Sequence, residues 1–178
     1  MVYLALACRV LVGVTFFAAV LGKVRSAEAF RLFTASLAGL GWLSAERRRP
    51  VAVATTAAEL SIVALVAWSP TARGGLAIAA VAVGVFTIVM IAAERRGAPV
   101  TCRCFGGGGQ TWGPVHLIRN TLLGGSAVLG VVAHSIAPPG QPALAGATVA
   151  SAVAAIVALL LILSDDLAYL FSSDRRLT

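Results

Sequence analysis

Apolar residues run along this chain in blocks too long for a soluble core helix, and the polar residues gather between the blocks. A membrane-spanning helix needs about 20 mostly apolar residues to cross a hydrocarbon core of about 30 Å. Five blocks meet that length: 2–21, 51–68, 74–93, 115–136 and 142–163. Arg9 interrupts the first, Glu59 the second and Arg119 the start of the fourth, the third carries no charge, and Ser164-Asp165-Asp166 ends the fifth. Short turns rich in Pro and Gly at 69–75 and 137–142 join neighbouring spans, so those spans are predicted antiparallel.

The interval 23–50 follows a different rhythm. Ser26 is placed to cap a helix, and Phe30, Phe33, Leu37 and Leu40 recur at helical spacing, with Glu28 and Arg31 off that stripe. Its apolar part is too short to span. It is predicted to be an amphipathic helix at the membrane interface, anchored by Trp42 and followed by Arg47-Arg48-Arg49, with a re-entrant hairpin arm as the rival reading. The expected architecture is therefore an all-α, polytopic membrane helix bundle. It has about five transmembrane helices with an interfacial amphipathic helix after the first, in one integral membrane domain over 1–178.

Composition agrees with that pattern. The chain is 59% hydrophobic and 12% charged, with a mean hydropathy of +0.93, against roughly half apolar and a quarter charged in soluble domains. The first block lacks a basic leading segment, so it is expected to remain as a helix. The net charge of +7 would suggest nucleic acid in a soluble protein. Here the arginines flank apolar blocks and are read as orienting charges, with the lipid bilayer as partner and no nucleic acid. Lys23, Arg25, Arg31, Arg47, Arg48, Arg49, Arg95, Arg96, Arg103, Arg175 and Arg176 fall on one face of a five-span protein, and Arg73 on the other. The positive-inside rule puts the first face, with the loop 94–114, in the cytoplasm of a cell-membrane protein.

That loop contains VTCRCFGGGG (100–109), which holds two of the three cysteines. Cys102 and Cys104 flank Arg103, whose cation favours the reactive thiolate. The glycines that follow permit turn geometry and leave the sulfurs accessible. A disulfide closing so small a ring departs from relaxed geometry and is easily reduced, which suits exchange. Two thiolates also suit Cu(I), whereas a closed zinc site would want four ligands. Gly106–Gly109 lacks the lysine and hydroxyl of a P-loop, so nucleotide binding is rejected. Cys8 lies toward the far end of the first span, roughly 20 Å from the loop by helical rise, and is read as a buried small residue.

Glu59 sits near the middle of the second span, where a carboxylate costs about 2.5–3.5 kcal/mol on insertion scales and needs a partner. Arg9 is expected to pair with it, either bracing the bundle or lining a polar pocket for a quinone head group or proton transfer. Lys23 is expected to snorkel to the interface. Arg119 and Asn120 stand where they could bind loop carbonyls or a lipid head group.

Taken in order, several elements give the chain a family likeness. These are Arg9 and Gly22-Lys23 in the first span, Glu59-Leu60 in the second, Cys102-x-Cys104-Phe105-Gly106 in the loop, and Arg119, Asn120 and Leu122 in the fourth. The chain resembles the MauE methylamine-utilisation membrane family, akin to DoxX-like proteins, over about residues 4–135, with the last span additional. It departs from the family habit at Thr101, where an acidic residue is common, and at Arg103, where a glycine is common. The resemblance implies a polytopic, redox-associated protein linked to maturation of the disulfide-rich small subunit of methylamine dehydrogenase. Such a role would want the thiols outside, opposite to the charge bias.

The leading expectation is a membrane thiol–disulfide redox component. Cys102 and Cys104 would be the exchanging pair, Arg103 the thiolate-favouring cation, Glu59 and Arg9 the pocket residues, and a thioredoxin-like protein the partner. The alternatives are a non-enzymatic membrane assembly factor and a Cu(I)-handling protein.

Overall fold

A computed structural model describes the backbone of residues 1–97, 101–102, 110–111, 114–136 and 143–173, and the side chains of 1–97, 115–136 and 143–164. The helices are α1 (Val2–Val24), α2 (Ala27–Ser36), α3 (Ala45–Ala67), α4 (Ala72–Arg95), α5 (Pro114–Ile136) and α6 (Leu144–Ser173). Five of them, all except α2, are long and apolar enough to cross a membrane. In hydrocarbon every backbone N–H and C=O must be satisfied within the protein, which is why each apolar block becomes a helix.

Helix α1 is the hub of the bundle and packs against α3, α5 and α6, while α4 bridges α3 and α5. Leu11, Val12 and Phe16 of α1 meet Ile62 and Val66 of α3, Leu76 and Val83 of α4, Leu123 of α5 and Ala158 of α6 in one buried cluster. Small residues permit the closest approaches. A Cβ on Gly130 of α5 would stand 2.9 Å from Cys8 Cβ, and one on Gly75 of α4 would stand 2.9 Å from the Val66 backbone nitrogen. Cys8 is buried at that α1–α5 contact. Gly130 lies about 24 Å along α5 from Pro114, by helical rise, so Cys8 is remote from the loop end of the bundle.

Two helices run beyond the apolar blocks that predicted them. Helix α3 begins at Ala45, so Arg47-Arg48-Arg49 lie in its first turns instead of trailing the interfacial segment. Pro50 sits inside the helix but only in its second turn, where the carbonyl it leaves unbonded is close to the helix end. Helix α6 does not stop at Ser164-Asp165-Asp166 but continues to Ser173. Its 30 residues extend about 45 Å, longer than a bilayer core.

Helix α2 starts as its sequence predicts, with Ser26 Oγ accepting from the Ala29 N–H at 3.0 Å. Its exposed Arg31 donates to Glu28 at 2.9 and 2.8 Å, and that hydrogen bonding holds the Glu28 carboxyl below its ordinary range. The apolar stripe is turned onto the bundle. Phe33, Leu37 and Leu40 pack with Ala52 of α3 and with Met90 and Ala93 of α4 in a second buried cluster. The 3-10 turn Leu37–Gly39 carries the stripe on to Trp42, which is 46% exposed and lies against the Arg96 guanidinium, 4.8 Å from its ring centre. Gly97 stands just past the C-cap of α4 with a φ of +69°, a conformation that favours glycine.

Candidate functional site

The loop after α4 is marked by a two-residue antiparallel ladder, β1 (Thr101–Cys102) with β2 (Gln110–Thr111), in which Cys102 faces Gln110. Arg103 and Cys104 lie outside the described residues, as do the Cys102 side chain and with it the predicted Cys102–Cys104 ring. The ladder brings the two ends of the Cys-containing segment together between α4 and α5.

Directly inside that end of the bundle is a polar centre that the sequence pattern did not assemble. Lys23 Nζ donates to both Glu59 oxygens at 2.8 Å. The Lys23 side chain is 1% exposed and that of Glu59 15%. The ammonium also donates to Ala19 O at 3.4 Å and sits 5.0 Å from the centre of the Phe33 ring, in cation–π range. Lys23 thus does not snorkel outward. Side chains of a helix tilt toward its N-terminus, so a lysine in the last turn of α1 points back into the bundle, and α2 closes beneath it.

Arg9 is not the partner of Glu59. It donates to Val66 O and Ala67 O at the C-terminus of α3 and to Ser69 Oγ at 2.7 Å. Those carbonyls belong to the last turn of a helix and have no intrahelical donors, so the guanidinium caps α3. Arg9 and Lys23 are 14 residues apart, close to four helical turns, and both face α3. The antiparallel register decides between them. With Arg9 level with Ala67, Glu59 lies about two turns further along α3, toward Lys23.

The ion pair lines a cavity of about 570 Å³ bounded by α1, the α2 segment, α3, α4 and α5. Its walls are apolar apart from the ion pair and a few groups: Thr15 on α1, Ser36 and the Trp42 indole in the α2 segment, Thr55 on α3, and Arg119 and Asn120 on α5. Asn120 is buried and donates to Thr87 Oγ1 of α4 at 3.2 Å. It stands about 9 Å by helical rise from Pro114, where the loop re-enters α5. Arg119 and His116 are buried in the same first turns of α5. The structure therefore gathers Glu59, Lys23, Arg119 and Asn120 around one cavity that reaches the first turns of α5, and sets Arg9 apart. One signal could have found Lys23. A lysine ending an apolar span and followed at once by an amphipathic stripe is a candidate for being covered by that stripe.

The profile described as methylamine utilisation protein MauE matches residues 1–133. The chain belongs to the MauE family. The match takes in Arg9, Lys23, Glu59, the Cys loop and the first turns of α5, and it ends three residues before the end of α5. Searches of curated proteins and of solved structures gave no match. Family membership and the five spans make this a multi-pass membrane protein linked to methylamine utilisation.

Proposed function

We propose that this MauE-family chain is a thiol–disulfide redox component of the cell membrane that serves maturation of a disulfide-containing client. Cys102 and Cys104 are the exchanging pair. A thiolate from a thioredoxin-like partner attacks the Cys102–Cys104 disulfide and forms a mixed disulfide. The partner's second thiolate then resolves it. The partner leaves oxidised, and Cys102 and Cys104 are left as thiols with two protons taken from solvent. Arg103, between them, favours the thiolate form. The observation that carries this reading is the position of the cavity. A site with a buried ion pair lies beside the helix that emerges from the Cys loop, and Arg119 and Asn120 belong to both.

The test is to trap thiols with a mass-shifting maleimide in isolated membranes after oxidant or reductant treatment. The pair should interconvert between dithiol and disulfide at a potential well above the roughly −300 mV of structural disulfides. Arg103→Gly should slow alkylation at neutral pH while leaving the melting temperature unchanged. A pair that stays reduced under strong oxidant defeats the reading.

A further inference from the structure

The hydrogen-bond inventory of the cavity says what kind of molecule fits it. Three N–H bonds of Lys23 are directed to Glu59 Oε1, Glu59 Oε2 and Ala19 O, which accounts for every proton of an ammonium. Thr15 Oγ1 donates to Leu11 O at 2.8 Å and Thr55 Oγ1 to Val51 O at 2.9 Å, so each hydroxyl proton is committed to its own helix. Ser36 Oγ donates to Phe33 O at 2.7 Å in the same way, so among the described lining residues Glu59 offers carboxylate lone pairs and Thr15, Ser36 and Thr55 offer hydroxyl oxygens, all acceptors, while the Trp42 indole N–H is the one donor on the α2 side. The α5 end differs, because the Asn120 amide carries a second N–H besides the one it gives to Thr87. The paired charges of Lys23 and Glu59 cancel, so the acceptor end favours no net charge in its ligand.

The walls add shape. Phe16, Phe33, Trp42 and Phe86 all line the cavity, which suits a flat aromatic ring. Val51 and Ala58 of α3 and Val85 of α4 line it too and are exposed on the outside of the bundle. Val85 stands near the middle of α4, so the opening lies within the span, where a lipid-soluble molecule can enter.

We infer that this cavity binds the head group of a lipid-soluble quinone, and that it holds the reduced hydroquinone form more tightly than the oxidised form. A hydroquinone hydroxyl donates to Glu59 in a charge-assisted hydrogen bond, whereas a quinone carbonyl would set lone pairs against lone pairs. The opposite oxygen faces the Asn120 amide of α5. Tighter binding of the reduced form raises the potential of the bound couple by about 30 mV for each tenfold preference. The binding stands on the cavity alone. Its use in electron transfer rests on the thiol reading above. There, the Cys102 and Cys104 thiols form one S–S bond and release two electrons and two protons, and the two carbonyl oxygens of the quinone take them up to give hydroquinone.

The test is anaerobic calorimetry on the purified full-length protein with duroquinone and durohydroquinone as probes. Wild type should bind durohydroquinone at least about tenfold more tightly, the size of one charge-assisted hydrogen bond. Glu59→Gln, whose amide can donate to a carbonyl, should bring the two affinities close together. Ala82→Phe, which places a ring on the cavity wall, should abolish binding of both probes in protein that still unfolds cooperatively. Equal affinities in wild type, no binding of either probe, or unchanged binding by folded Ala82→Phe each overturn the inference. A Cys102→Ser/Cys104→Ser double variant with wild-type binding supports a site independent of the thiols. If those thiols stay reduced in wild type with quinone supplied while the preference persists, the thiol reading fails and the binding site stands.

Discussion

Lys23 Nζ lies 2.8 Å from both carboxylate oxygens of Glu59 and thereby ties the last turn of α1 to the interior of α3. The two groups are 36 residues apart in sequence, and both are removed from bulk water. Attraction at such a distance is strong where the effective dielectric is low, but so is the penalty for leaving either charge alone.

Breaking that pair from one side should therefore be worse than removing it whole. Glu59→Gln or Lys23→Met alone should cost about 3–5 kcal/mol, seen as a lower melting temperature and yield in detergent. The double variant should recover much of the loss. Additive losses in the double-mutant cycle would show that the two groups do not interact.

Arg9 supports a different part of the bundle. Arg9→Met removes the charged donors to Val66 O, Ala67 O and Ser69 Oγ, only the first of them part-buried, and should cost about 1.5–3 kcal/mol, the range for hydrogen bonds to a charged group. Combined with Glu59→Gln its effect should add within about 0.5 kcal/mol, because the two sites share no partner. A larger coupling would revive a direct Arg9–Glu59 interaction.

The Phe33 ring covers the Lys23 ammonium at 5.0 Å. Phe33→Leu keeps an apolar side chain but removes the ring face, and should lower stability by about 0.5–2 kcal/mol. In a Lys23→Met/Glu59→Gln background the same substitution should cost measurably less, which thermal denaturation would show.

Helix α6 lies outside the family-matched region and docks on α1 at a glycine. A Cβ at Gly146 would come within 2.8 Å of the Tyr3 ring and hydroxyl. Gly146→Val should push the exposed Tyr3 ring aside and weaken the α6 contact by up to about 1 kcal/mol, below the range for a core overpacking, and Tyr3→Ala should relieve it. Faster proteolysis between α5 and α6 in the single variant, restored in the double, is the expected reading.

Thiol access separates the cysteines. Cys8, packed on α1 against Gly130 of α5, should resist maleimide in the folded protein, while Cys102 and Cys104 should react. A membrane-impermeant reagent on intact cells should leave the pair unlabelled until lysis, as the arginine bias predicts. Labelling before lysis would put the loop on the outer face.

The spans were legible from hydropathy because their cause is local: in lipid a helix satisfies its own backbone, so the length and polarity of each block suffice. The capping of α2 by Ser26 was legible for the same reason, since donor and acceptor lie three residues apart. The end of the fifth span was legible too, at Ser164, but the helix runs on to Ser173, because Asp165 and Asp166 mark where apolar sequence stops and nothing in them breaks a helix. The partner of Glu59 could not be read locally at all. The sequence by itself determined that a carboxylate inside α3 needs a cation, and that Arg9 and Lys23, nearly four turns apart, share a face. Only the tertiary structure decided between them. The capping of α3 by Arg9 sets the register of α1 against α3, and that register, with α2 folded under the last turn of α1, leaves Lys23 as the cation whose side chain reaches Glu59.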